Sequence, residues 1–591
     1  MTDIRLVKSI YEGSRVSALG EVDIPNMVCA EWYGAKGDGV TDDTDALNEA
    51  LATGKTVFLG SSTHYKITDT LTLSAEGTRL ISFNGAEIRQ VTSNKGGIAI
   101  TASNHEINGI VFRGPQYAIR KTGENAIYVH GVDAAHYITG SKIKNCQFIN
   151  WGYCGILAKY VSHFDWSGNR IWNIYTAGIS GSSVSYSTIT KNEINNIVGT
   201  APAYGIALTR ANNDSLVTEP RSSEVTVSNN VVRNVTNWEG LDTHGGENIT
   251  FSGNVVTDCY FGIAAGPANN TAGTVTFAPL NVNIIGNVID SGKTDGTAHS
   301  GIVFVGAGIT GTQYGTGSII GNTIKGHGLE AVATGNALNT YTTEGLVISG
   351  NSFIDCGTYG IYITAYSLGT VITGNAFYDV WSNTTTAPIA IRSVGTNNTL
   401  TISGNSFTKG DNAATYSCVE AIRIGNTSGT SVRLGQNFNN GYTRYLNDAG
   451  DKANRGTVGG LTTSGTGEDD LDTTSLPANT IGDQGRIRVY GAGTKTGAGG
   501  NKTLKFYFGA SSVTFHAAAN NTNDWRFEAV ISNNATNSQS VSWLGWDGAT
   551  PLQGYEVFTI DTTAAVTMKI TGECANGADT ITQGVWHIEH Q

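Results

Sequence analysis

One phrase returns eleven times along the middle of the chain, each time around an Asn: IKNCQF, WSGNRIW, ITKNEI, VSNNVV, FSGNVV, IIGNVI, IIGNTI, ISGNSF, ITGNAF, ISGNSF and LGQNF. The residues concerned are Asn145, Asn169, Asn192, Asn230, Asn254, Asn287, Asn322, Asn351, Asn375, Asn405 and Asn437, with steps of 24, 23, 38, 24, 33, 35, 29, 24, 30 and 32. A floor of 23 to 24 residues with insertions above it is the period of a solenoid whose loops grow from its corners. A second phrase, x-Gly-apolar-x-apolar-x or a close variant, follows within the coil as CGILAK, AGISGS, YGIALT, EGLDTH, FGIAAG, SGIVFV, EAVATG, YGIYIT and EAIRIG. The pattern predicts two short strands per coil between Asn/Gly turns, with apolar residues inward and the Asn amides laddered from coil to coil. This is a parallel β-helix in an all-β protein. Cys259 and Cys356 each follow their Asn by five residues and are expected as small buried hydrophobes.

Composition agrees and narrows the partners. The 591 residues include 76 Gly, only 9 Pro and 14% charged side chains, with 39% apolar, which excludes collagen and a disordered chain. A net charge of -12 without a Lys/Arg cluster gives no electrostatic footprint for nucleic acid. No apolar run of about 18 residues is present to span a membrane as a helix. The opening MTDIRLVKSIYEG lacks the basic-then-apolar layout of a signal peptide, so synthesis in a cytoplasm is expected. Seven Cys without a CxxC pair argue against a disulfide framework and a zinc site.

A solenoid needs a cap. In WYGAKGDGVTDDTDALNEAL, Thr41 or Asp42 can N-cap a short helix whose apolar face is Ala46, Leu47, Ala50 and Leu51, with Asp42, Asp43 and Asp45 at its positive end. The oxygen spacing of a calcium loop is absent there. The stretch Tyr33 to Leu51, followed by TVFLG, YKIT and LTL, resembles the opening of pectate-lyase superfamily proteins, above all bacteriophage tailspikes and capsule depolymerases. The resemblance covers roughly residues 30 to 445 and implies a right-handed parallel β-helix. After Leu446, segments such as GRIRVYGAG, KTLKFYFG, WRFEAVI and AVTMKIT alternate and predict an antiparallel β-sandwich. SLPANTIGDQGRIRVYGAGTK is similar to C-terminal tailspike domains, which implies a homotrimer and glycan binding. The expected division is a 1–30 attachment segment for another tail protein, a 31–450 catalytic β-helix and a 451–591 sandwich.

Charge is scarce on the second-phrase face, and one coil concentrates it. NWEGLDTHGGEN (237–248) carries Glu239, Asp242, His244 and Glu247. Alternation turns Asp242 and His244 outward, about 7 Å apart along an extended strand. Phrase alignment sets Asp242 between Ala207 and Ala264, His244 between Thr209 and Gly266, and Glu239 between Tyr204 and Phe261, with Trp238 and Tyr260 at equivalent corners. Small neighbours leave room for a sugar, aromatics offer stacking faces, and Arg210 can meet a sugar carboxylate. Glu239 and Asp242 are expected to approach the 6.5–9.5 Å spacing of an inverting glycosidase.

The expectation is a glycoside hydrolase: Glu239, Asp242 and His244 catalytic, Trp238, Tyr204, Arg210, Glu247 and Tyr260 on the substrate, and neither metal nor cofactor. Its partners would be a bacterial capsular or surface polysaccharide, its own copies and a tail protein, on a virion made in the host cytoplasm and acting at the cell surface. A polysaccharide lyase using His244, Tyr204 and Arg210 is the alternative. DTHGG resembles the Asp-x-His motif of β-helix alginate epimerases and lyases, without that motif's Pro and following acid. A receptor-binding adhesin without catalysis is the third reading. Arg210 has a structural reading too, pairing with Asp214 or Glu219; Trp151, Trp166 and Trp172 are read as packing under loops; and Asp165, Glu193, Asp295, His299 and Glu330 are the reserve acids and bases. Specificity is assigned to insertions such as 194–229 and 266–282.

Overall fold

The computed structural model describes residues 26–591 apart from 211–218, 270–275, 291–299, 308–313, 335–342, 381–388, 411–419, 425–430, 449–455, residue 591 and stretches of one to four residues elsewhere. It comprises two compact units, Met1–Thr276 and Phe277–Gln591.

The first unit is a stack of parallel coils with three strands each, one more than the sequence pattern predicts. In one coil these are Lys142–Lys144, Gln147–Trp151 and Cys154–Ser162. They pair in parallel with Asp165–Ser167, Arg170–Ile174 and Ala177–Thr190 of the next. The extra strand arises because the Asn phrase is a corner. The residue before the Asn takes a left-handed conformation, as at Gly168 (φ 68°) and Gly253 (φ 62°), and splits the phrase into two strands. A second left-handed corner follows at Asn150, Asn173, Asn196 and Asn234, since Asn tolerates that region better than most side chains. The first three of these amides form an outer ladder, Asn173 donating to Asn150 at 3.0 Å and Asn196 to Asn173 at 2.7 Å, while Asn234 donates to Asn195.

The inner ladder is buried. Asn169 Nδ2 donates to Asn192 Oδ1 at 2.9 Å, Asn192 to Asn230 at 3.0 Å and Asn230 to Asn254 at 3.0 Å, and each amide also donates to a carbonyl of the preceding coil. Asn145 is not in it. It sits exposed in the left-handed turn, and Cys146 takes the ladder place, its N–H donating to Asn169 Oδ1 at 3.0 Å. IKNCQF therefore aligns one residue later than the pattern suggests. Cys259 and Cys356 are buried as expected, and Trp151 and Trp166 lie fully inside the coils, their indole N–H groups bonded to Phe112 O and Ser141 Oγ. The loop-packing expectation fails for these two; Trp172 is half-buried.

The capping helix is Thr44–Leu51, packed on the strand Leu71–Leu73. Asp43 holds the N-cap position, but its carboxylate accepts from the Lys36 and Gly37 N–H groups; the capping side chain is Asp42, one of the two candidates, which accepts from the Thr44 N–H and hydroxyl. Leu47, Ala50 and Leu51 are buried together with Thr44, and Ala46 falls at the edge of the apolar face.

The second unit begins with coils of the same kind. Asn287, Asn322, Asn351, Asn375, Asn405 and Asn437 form a ladder with Nδ2–Oδ1 distances of 2.9 Å throughout. Phe353, Phe377 and Phe407 stack beside it at 4.6 and 5.1 Å between ring centroids. Antiparallel strands follow as a six-stranded and a four-stranded sheet, in line with the alternation in the sequence. Phe506, Phe527, Trp525 and Trp586 belong to their shared core.

Candidate functional site

The site lies on the strand Val231–His244, which runs from a second-strand position through a corner into the third strand of its coil. Against the following strand its register slips between Val235 and Glu239, so the residues between bulge outward and carry Trp238 to the corner. Beyond the bulge the pairing is regular. Asp242 lies between Ala207 and Ala264, and Glu239 between Tyr204 and Phe261, as the phrase alignment predicts; His244 lies against Gly266. Leu241 and Thr243 point inward and are fully buried, Thr243 Oγ1 donating to Leu208 O at 2.7 Å.

The outward side chains are not open surface. Asp242 is 0% exposed and Glu239 5%. Alternation turns Asp242 out of the coil, but it cannot reveal what covers that face. Tyr204, Trp238, Tyr260 and Phe261 crowd the neighbouring corners, with Trp238 and Tyr260 edge-on to Phe261 at 5.9 and 4.5 Å. His244 is the open member, 30% of its side chain reaching solvent. Its Nε2 lies 3.4 Å from Asp242 Oδ1 and 3.8 Å from Glu239 Oε2, with Nδ1 facing the Pro267 carbonyl at 3.2 Å.

Both oxygens of Asp242 and Oε2 of Glu239 are buried without a hydrogen-bond partner among the described residues. A buried, unpaired carboxylate costs several kcal/mol, so the cluster must hold positive charge or protons. Burial, reinforced by Glu239, holds the Asp242 carboxyl well above the ordinary carboxylate range, His244 opposing. Burial alone would lower the His244 pKa, but Asp242 and Glu239 raise it to about 10. Burial and then Asp242 push the Tyr204 phenol up. The three side chains bring one donor atom each within 4.8 Å of one another, close enough for a single divalent cation as well as for a shared proton.

That separation corrects the expected spacing. With carboxylate oxygens of Glu239 and Asp242 inside 4.8 Å, the pair leaves no room for a glycosidic bond and a water between them, as an inverting enzyme requires. Arg210 is buried, and its Nε and Nη2 donate to the Glu219 backbone carbonyl at 3.2 and 3.0 Å, while the Glu219 carboxylate takes Lys159 at 2.9 Å; Asp214 lies outside the described residues. Glu247 is half-buried and acts electrostatically on Arg221. The sequence reading missed Arg221, whose Nη1 donates to Gly245 O at 2.5 Å and so ties down the turn after His244. Its signal was weak, an Arg inside an irregular insertion. Among the reserves, Asp165 pairs with Lys144 and Glu193 with Arg170; Asp295, His299 and the Glu330 side chain lie outside the described residues.

A family model described as a right handed beta helix region matches residues 73–289. A curated relative, the non-secreted LysM effector LysM19 of Penicillium expansum, is 41% identical over 96 residues, 14% of this chain and 7% of its own length. Among solved structures, the pre-mature gene product 12 of bacteriophage phi29 is similar at 15% identity over 71% of this chain and 57% of that one, with a TM-score of 0.49. The catalytic unit of a GH87 alpha-1,3-glucanase from Streptomyces thermodiastaticus is similar at 14% identity over 72% and 70%, with a TM-score of 0.43. The chain thus spans a small part of the curated relative and just over half of the phage protein.

Proposed function

We propose that the protein is a phage tailspike depolymerase that binds a bacterial capsular or surface polysaccharide and cleaves its glycosidic bonds by hydrolysis. The observation that carries this reading is the sealed Glu239–Asp242–His244 cluster, with three carboxylate oxygens free of hydrogen bonds among the described residues and its one open side in the midst of aromatic corners. A cluster that keeps its protons at neutral pH can donate one to a leaving glycosidic oxygen. His244 is the member that meets the sugar. Asp242, fully buried behind it, is the positioning residue that holds the imidazole, 3.4 Å from its Oδ1, and Glu239, 3.8 Å from the same nitrogen, shares the cluster's charge at the corner.

Hydrolysis is favoured over elimination by the state of the same residues. A lyase needs a neutral base and a cation on the uronate carboxylate. Here His244 is held protonated, the Tyr204 phenol is raised, and Arg210 is spent on a backbone carbonyl. The tail location, the homotrimer and the attachment partner rest on the tailspike resemblance of the opening and C-terminal motifs. Incubation with capsule or surface polysaccharide should shorten it and raise reducing ends without the ultraviolet absorbance of an unsaturated uronate. Absorbance would make the enzyme a lyase; binding without shortening would make it an adhesin.

A further inference from the structure

The third-strand face of the second unit carries a different cluster, far along the sequence from the acidic coil. The strands Tyr359–Ile363, Ile389–Ser393 and Glu420–Ile424 pair in parallel, and their register lines up Tyr362, Arg392 and Arg423 on successive coils. Adjacent parallel strands are about 4.8 Å apart, so the two guanidinium groups share one neighbourhood. Glu420, fully buried, accepts from both Nε and Nη2 of Arg423 at 2.5 Å. That bidentate pair accounts for one acid and one base. Arg392 is half-buried, and its Nη1 is shut off from water with no hydrogen-bond partner among the described residues.

A charged N–H left buried and unmade is expensive, and a neighbouring guanidinium makes it more so. Burial first, and Arg423 next, hold the Arg392 pKa below its ordinary value. Opposite Arg392 in the register lies Tyr362, whose half-exposed ring stacks on that of Tyr359 at 5.0 Å with an 11° tilt. A flat aromatic pair beside the half-buried Arg392 suits a sugar ring bearing a carboxylate: the ring packs on tyrosine while the carboxylate offsets the guanidinium charge.

We infer that Tyr359, Tyr362 and Arg392, beside the closed Arg423–Glu420 pair, form a binding site for the uronic-acid residues of an anionic polysaccharide. The site rests on the glycan reading only in its choice of ligand. It implies that the polymer is acidic and is held at a place distinct in sequence from the coil that cleaves it.

Calorimetry on the full chain tests this with galacturonate, glucuronate and mannuronate oligosaccharides, each beside its carboxyl-reduced, neutral counterpart. At least one acidic member should bind ten-fold or more tighter than its neutral form, with the advantage shrinking as salt rises. Arg392→Gln should erase the difference, and Tyr362→Ala should weaken acidic and neutral forms alike. Equal binding within every pair overturns the inference in the wild-type chain alone, whether or not the variants fold. An acid preference that survives Arg392→Gln in a folded variant overturns it too. Because the readout is binding, failure of cleavage at the acidic coil leaves this result standing.

Discussion

Two coils begin their third strand with the same arrangement, a buried Glu followed three residues later by a charged side chain. In the Glu420 coil the partner is Arg423, and the pair closes on itself through two parallel hydrogen bonds. In the Glu239 coil the partner is Asp242, and three oxygens are left without a bond among the described residues. A buried acid at a β-helix corner is therefore no sign of chemistry by itself. What matters is whether its neighbour on the same face neutralises it, because only an unresolved charge is free to act on something else.

The largest expected effect breaks the open cluster. Glu239→Gln and Asp242→Asn should each lower kcat for polysaccharide cleavage by about 100-fold or more while the fold persists. Near-normal turnover in both would move the chemistry elsewhere. Glu420→Ala should act in the opposite way, leaving cleavage chemistry alone but costing ~3–5 kcal/mol of stability, since it strands Arg423 beside Arg392. Denaturant unfolding followed at the second unit would read this, and a loss below about 1 kcal/mol would show that the pair is solvated. Asp242→Arg turns the first coil into a copy of the second. It should abolish cleavage and also lower the melting temperature, because Asp242 and the flanking Ala207 and Ala264 are all buried and the larger side chain overpacks the site.

The pH dependence sharpens the contrast. His244 titrates at about 10 in the fold against an ordinary value of 6.5, so its contribution to stability is complete below pH 6.5 and lost as pH rises towards 10. The melting-temperature gap between wild type and His244→Gln should accordingly close over that window; a constant gap would mean that the imidazole only packs. The smallest effect is expected from chelation. EDTA should leave cleavage unchanged if the cluster holds a proton, and loss of activity restored by zinc or manganese would make it a metal centre instead.

Much of the scaffold could be read before any coordinates. The Asn period, the sandwich segments and the pairing of Asp242 with Ala207 and Ala264 all follow from spacing, because a ladder of identical amides forces equivalent residues into register. Less local features were hidden. IKNCQF looks like its fellows, yet the ladder accepts Cys146 because that place needs only a small side chain with an N–H. The second corner was overlooked although Asn150, Asn173 and Asn196 recur at steps of 23, since the alternation around them reads as continuous strand. The sealing of Asp242 depends on aromatic residues from neighbouring coils and on a bulge, neither of which lies in the local sequence. Arg392 carries no signal of its own; it stands out only once Arg423 has been seen to take the nearby acid.

The inner amide ladder has a consequence for how such a protein can change. The Asn169–Asn192 bond spans 23 residues and the Asn192–Asn230 bond 38, yet they measure 2.9 and 3.0 Å. The axial pitch is thus set by the rung and is indifferent to the length of chain between rungs. An entire loop can be exchanged at one coil while its neighbours stay in place, so the solenoid works as a rack into which new recognition loops can be grafted one level at a time.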